Sequence, residues 1–185
     1  MHSSHAQHRI NPQIAERLLR IKAFLLDVDG VLTDSAIRLT PDGLQHKVFT
    51  MMDTDSIRAA QAVGVHFGII TGGTSELVIQ RAKELNIHDI YHGVYDKGES
   101  YEDFKQLYEL TDEQIAFMGD GVFDIPVLRQ VGFAAAPANA HSSAKMAAHF
   151  VSRFRGGEGA VREVLNMLVH VHNEKRKAHD AGAQL

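Results

Sequence analysis

Hydrophobic positions along the chain form short unbroken runs, separated by segments whose apolar residues recur every three to four positions. An unbroken run suits a strand covered on both faces, because such a strand has no side left for water. Residues 22–28, 65–71, 90–93, 115–118, 133–136 and 150–151 read this way. The periodic segments read as amphipathic helices. One spans 56–63 and stops at Gly64; a second runs from a Thr74 N-cap to Leu85, with Leu77, Ala82 and Leu85 on its apolar face. Residues 98–108 carry Tyr101, Phe104, Leu107 and Tyr108 at helical spacing, a stripe that reads as core packing. Residues 127–131 follow a Pro126 placed for a first helical turn, 142–148 form a short helix, and Val161, Val164, Leu165 and Leu168 mark the face of the last one. Residues 37–39 and 45–50 flank Pro41-Asp42-Gly43 and predict a hairpin. Thr111 to Gln114 fits a capping box on a very short turn, and the closing "NEKRKAHDAGAQL" is polar enough to be solvated or to act as a docking arm.

Strands alternating with helices at this spacing predict an α/β fold, a central parallel sheet with helices on both faces. A chain of 185 residues is long enough for one domain with a real core. It is expected to occupy residues 21–170, between an N-terminal segment 1–20 and a C-terminal tail 171–185. The net charge of -4 argues against nucleic acid as a partner, since phosphate backbones call for a basic face. Without cysteine, disulfides and thiolate metal sites are excluded. The first ten residues are polar and His-rich, like a tag, with no apolar core of a secretory signal, and no apolar run is long enough to span a membrane. A cytoplasmic protein is the expectation.

In a parallel sheet of this kind the ligand site lies at the carboxyl ends of the strands. Asp27 and Asp29 stand at the first of those ends, Thr71-Gly72 at the second and Asp120 at the third, with Lys97 in a loop just past Gly93. If the first strand continues through Val28, Asp27 and Asp29 point the same way and repel, each raising the pKa of the other. Three carboxylates converging on one point suit Mg²⁺, which prefers carboxylate, water and phosphate oxygens. A threonine hydroxyl, glycine amides and a lysine suit a phosphoryl group.

"DVDGVLTD" (27–34), "IITG" (69–72), the lysine of "YDKG" (95–98) and "GDGVFD" (119–124), in that order, resemble the four motifs of the haloacid dehalogenase (HAD) superfamily of phosphotransferases. The resemblance implies a Rossmann-like HAD fold. It implies Asp27 as the nucleophile that forms an aspartyl-phosphate and Asp29 as the general acid and base. Mg²⁺ would be held by Asp27, the Asp29 backbone carbonyl and Asp120, and phosphate by Thr71, Gly72 and Lys97. Asp124 would orient the metal shell or Lys97, or else merely cap the helix near Pro126. Gly30 would permit the turn after Asp29, and Thr33 and Asp34 would tie that loop together.

Superfamily caps are inserted after the first motif or between the second and third. Here those gaps hold only the hairpin with one helix, and one helix with one strand, so a small β-hairpin flap and no cap domain is expected. The capless size, "RAKELNI" (81–87) and "GGEGAVREVL" (156–165) look like the 3-deoxy-D-manno-octulosonate (KDO) 8-phosphate phosphatase family over about residues 21–168. That family acts in lipopolysaccharide biosynthesis on a small phosphorylated sugar acid. It forms homotetramers in which neighbouring subunits close the site and a C-terminal tail can reach a neighbour. The chain departs from the family where an arginine after "ITG" is Gly73, where "RDG" reads Met52-Asp53-Thr54, and where the second acid of the fourth motif is Gly121. Arg58, Arg81 and His66 are the candidates to replace the lost guanidinium groups. Alternatives are a phosphatase of nonulosonate 9-phosphates or another small phosphorylated metabolite, a non-catalytic subunit like the delta subunit of phenylphosphate carboxylase, and a response-regulator receiver. The receiver is disfavoured because its first-strand acids are adjacent, whereas Asp27 and Asp29 alternate.

Overall fold

The structure, a computed structural model, describes residues 10–41 and 45–182. In chain order its elements are α1 (Pro12–Leu18), β1 (Ala23–Leu26), the short strands β2 (Arg38–Leu39) and β3 (Gln45–His46), α2 (Met51–Ala62), β4 (His66–Thr71), α3 (Glu76–Glu84) and β5 (Asp89–His92). Then follow α4 (Lys97–Leu107), β6 (Ile115–Met118), α5 (Ile125–Gln130), β7 (Phe133–Ala136), α6 (Ser142–Ala147), β8 (Phe150–Val151) and α7 (Ala160–Gly182). The apolar runs pair in parallel in the order β5-β4-β1-β6-β7-β8, and β2 and β3 form a separate antiparallel pair. β1 lies between β4 and β6, with Leu26 opposite Ile69 on one side and Met118 on the other.

Alternation along β1 divides the core into two layers. Phe24 and Leu26 join Leu18, Ile57, Phe67, Val161, Val164 and Leu165 on one face of the sheet. Ala23 and Leu25 join Tyr101, Phe104, Phe117, Val127 and Leu128 on the other. Both faces are covered, so the α/β reading holds. The order also puts a switch point at β1, where the chain crosses from the β4 side to the β6 side, and a crevice opens there beyond the strand ends.

Several elements differ from their expected extents. α2 begins at Met51 rather than at 56, because Thr50 caps it by accepting the Met52 N–H at 3.3 Å. Its first turns bury Asp53, Thr54 and Ser56, polar residues that break an apolar period. α1 was not expected; Asn11 caps it, accepting the Gln13 N–H at 2.8 Å, and Leu18 enters the core. α7 continues through the polar segment to Gly182, so that segment is helical as far as it is described. On α3 the buried residues are Val78 and Ala82 while Leu77 is exposed, and on α4 Tyr101 and Phe104 are buried while Leu107 and Tyr108 are exposed. Part of the predicted hairpin turn and the His-rich start lie outside the described residues.

Asp53 ties α2 to α7. Its Oδ1 accepts the Arg162 N–H at 3.2 Å, satisfying a first-turn donor of α7 that Gly159 has no side chain to cap. Its Oδ2 is buried without a hydrogen-bond partner. Burial pushes the carboxyl up to about 6, against the pull of the Arg162 N–H and the Arg162 charge. A folded-state pKa above the unfolded value means that the native state holds the proton longer. Stability from this group is therefore present below the unfolded pKa and lost as pH rises through about 6. Asp53→Asn keeps the acceptor and removes the charge. The variant is expected to be more stable than the parent at about pH 8, by a margin that shrinks towards about pH 4. Urea denaturation at the two pH values checks this; an equal loss at both would contradict it.

Candidate active site

β1 ends at Leu26, two residues short of the expected strand, but Asp27 N–H still donates to Met118 O at 3.0 Å, so Asp27 stays in register. The chain then coils: Val28 O accepts from the N–H groups of Val31, Leu32 and Thr33 at 3.2, 2.9 and 3.1 Å. Gly30 has φ +94, and a Cβ there would overlap the Asp120 carboxylate, so a side chain is excluded both by conformation and by space. Thr33 Oγ1 lies 3.4 Å from Asp29 Oδ1, and Asp34 Oδ1 accepts the Ala36 N–H at 3.0 Å, so both residues do tie the loop. The "GGEG" loop backs it from outside. Gly157 N–H donates to Val31 O at 3.0 Å, and Gly156 packs so closely on the Gly30 carbonyl that a Cβ would collide with it.

Asp27, Asp29, Thr71, Gly72, Lys97, Asp120 and Asp124 all line one cavity of about 270 Å³ at the carboxyl ends of β1, β4 and β6. Lys97 lies at the first position of α4, not in a loop, because Asp96 caps that helix by accepting the Gly98 N–H at 3.1 Å. Its ammonium donates to Asp124 Oδ1 at 2.6 Å and pairs with Asp27 Oδ1 at 2.9 Å. Asp124 Oδ2 accepts the N–H groups of Asp120 and Gly121, each at 2.8 Å. Asp124 therefore fixes Lys97 and the 120–121 loop and does not cap α5, where no side-chain cap bond forms.

One carboxylate oxygen from each of Asp27, Asp120 and Asp124 lies within 4.8 Å of the others. When all three carboxylates are ionised, one ammonium leaves two negative charges unbalanced. Burial pushes Asp27 up to about 7 despite Lys97, with Asp124 adding to the rise; burial and Asp124 push Asp120 up to about 6. On Lys97 burial works downward, but Asp27 and Asp124 outweigh it and the pKa rises. The lysine thus stays charged while the excess falls on Asp27 and Asp120. A divalent cation is the counter-charge of matching size, and an all-oxygen donor set suits Mg²⁺.

Asp29 has its own cation. Lys47 Nζ lies 2.6 Å from both of its carboxylate oxygens. Lys47 was missed in the sequence; the signal available was a lone basic residue just after the hairpin, in "HKVF". Thr71 Oγ1 accepts the Gly73 N–H at 3.2 Å, which turns that loop toward the cavity. Arg58, Arg81 and His66 do not line the cavity. Arg81 is engaged with Thr54 Oγ1 at 2.5 Å and with Glu84, and His66 pairs with Asp89 at 2.6 Å at the far end of β4. A larger groove of about 610 Å³ between α1, β8 and α7 is mainly apolar and gathers no comparable charged cluster.

A model of haloacid dehalogenase-like hydrolases matches residues 74–165, a span that holds Lys97, Asp120 and Asp124 but not Asp27, Asp29 or Thr71. The 3-deoxy-D-manno-octulosonate 8-phosphate phosphatase KdsC of Yersinia pestis is 36% identical over 156 residues, which cover 84% of this chain and 83% of that one. A crystal structure of that phosphatase from Yersinia pestis superposes with a TM-score of 0.86 at 34% identity, covering 89% of each chain. The phosphatase of Moraxella catarrhalis, solved with magnesium ion, phosphate ion and KDO, gives a TM-score of 0.86 at 30% identity over 91% of this chain and 97% of that one. This chain belongs to the 3-deoxy-D-manno-octulosonate 8-phosphate phosphatase family of haloacid dehalogenase-like hydrolases.

Proposed function

We propose that this chain is a Mg²⁺-dependent phosphatase that hydrolyses KDO 8-phosphate to KDO and phosphate through a phosphorylated Asp27. The observation that carries the reading is the two-charge deficit at Asp27, Asp120 and Asp124, placed beside the Thr71 hydroxyl and the 71–73 loop. Asp27, Asp120 and the Asp29 backbone carbonyl would hold the ion. When bound, it supplies positive charge to the phosphoryl oxygens and lets the Asp27 carboxylate approach them.

Thr71 and the amide of Gly72 seat the phosphoryl oxygens, and Lys97, held by Asp124, faces the charge that develops on them. An Asp27 oxygen attacks phosphorus in line, the ester P–O bond breaks, and Asp29 gives its proton to the departing alcohol. Asp29 then takes a proton from water as that water attacks phosphorus and releases Asp27. Lys47 must leave Asp29 before the proton can move, and a substrate carboxylate is a suitable new partner for it. Gly73 removes a guanidinium from this wall, which favours testing related sugar-acid phosphates alongside KDO 8-phosphate.

Among the described residues no cap lies between 34 and 65 or between 71 and 97, so the cavity opens to water in a single chain. Ile37, Leu39, Val48 and Met51 on and beside the hairpin are exposed. Burying them on a neighbour would close the mouth and strengthen electrostatics inside, so a homotetramer completes the site.

The test is phosphate release from KDO 8-phosphate, a nonulosonate 9-phosphate and simple sugar phosphates, with and without Mg²⁺. Release is expected to need the ion and to fall at least about a thousandfold in folded Asp27→Asn. A fully inactive folded parent would favour a non-catalytic role. In solution the mass is expected near four times 20.5 kDa, and a stable monomer would contradict the assembly.

A further inference from the structure

Most of the cavity lining is carboxylate, glycine, threonine and lysine; Val94, Tyr95 and Phe123 make its apolar part. Tyr95 is 71% exposed and Phe123 64%. The two rings nevertheless meet edge to face, with centroids 6.0 Å apart and planes at 71°. The Tyr95 ring lies over Gly72, with Cε1 and Cδ1 3.8 and 3.9 Å from where a Cβ on Gly72 would stand. Tyr95 comes two residues before Lys97, and Phe123 one residue before Asp124. Each ring is therefore carried by a loop that presents a member of the charged cluster. Together they bridge from the phosphate-seating loop to the loop after β6.

Two adjacent aromatic rings at the rim of a polar cavity offer apolar area to a molecule that enters it. The phosphoryl group of a bound ester goes to the polar floor, so the rest of the molecule leaves through the mouth where the rings stand. A carbohydrate ring offers a flat patch of C–H bonds, which packs on a π face while its hydroxyls stay wet. A short acyclic alcohol has no such patch.

Resting on the phosphatase reading above, we propose that Tyr95 and Phe123 form an aromatic wall that seats the leaving group and selects esters of ring-bearing alcohols. The wall sets which phosphate ester is used, while the carboxylates and lysines set what is done to it. It binds the ring in ground state and transition state alike, so it acts mainly on KM.

The test compares Tyr95→Ala, Phe123→Ala and the double variant with the parent, on KDO 8-phosphate, a hexose 6-phosphate and glycerol 3-phosphate, the ester of an acyclic alcohol. For each single variant the ratio of kcat/KM on the ring-bearing esters to that on glycerol 3-phosphate is expected to fall about tenfold, mostly through KM. Tyr95→Phe is expected to restore the ratio, and the double variant to fall short of additive loss because the rings support each other. An unchanged ratio, or equal losses on all three esters, would overturn the wall. So would a drop in assembly mass with the ratio intact, because the rings would then seat a neighbouring hairpin instead. A parent that releases phosphate from none of the esters would overturn the phosphatase reading and the wall with it, a result visible before any variant is made.

Discussion

The site depends on Lys97 standing between Asp27 and Asp124. That one ammonium lets a sheet carry carboxylates at the ends of two adjacent strands without either strand withdrawing from the core. Asp124 holds the lysine with one oxygen and the 120–121 backbone with the other, so the positions of Asp120 and Lys97 are set by the same residue. Lys97 in turn is fixed at the start of α4, whose buried Tyr101 and Phe104 anchor it in the core layer below. Charge placement and packing are therefore one problem here. With all three carboxylates ionised the cluster carries two negative charges more than Lys97 can balance.

Behind this stands a second constraint, the close approach of two glycine turns. Gly30 leaves room for the Asp120 carboxylate, and Gly156 leaves room for the Gly30 carbonyl. The nucleophile loop is thus clamped between the cluster in front and the α7 entry loop behind. Asp53 extends the clamp, because it caps α7 from α2 and so links the hairpin side of the molecule to the back of the loop.

The sheet, and the gathering of seven named residues at one crevice, were legible in the sequence because both rest on local signals. Unbroken apolar runs marked the strands, and acids, threonine or glycine at their ends marked the crevice. What was not legible depends on contacts between distant residues. The start of α2 was hidden because Asp53 and Thr54 are buried polar groups, tolerable only with Arg162 and Arg81 as partners. Lys47 was hidden because nothing near it in sequence announces Asp29, eighteen positions away. Asp124 could be read as a helix cap or as a partner of Lys97, and only the fold, which brings α4 beside the end of β6, separates the two. α1 was lost in a polar opening whose one deeply buried residue, Leu18, gives no period.

The central claim is that crowding of negative charge at Asp27, Asp120 and Asp124 is relieved by a divalent cation. The most direct measurement is thermal unfolding of the parent and Asp120→Asn, with and without Mg²⁺, at ionic strength matched with a monovalent salt. The account predicts a crossed pattern. Without the ion the variant melts above the parent, because a repulsive charge is gone; with it the parent rises and the variant responds weakly. A metal-free variant that melts below the parent, or one that keeps the full Mg²⁺ response, would contradict the account.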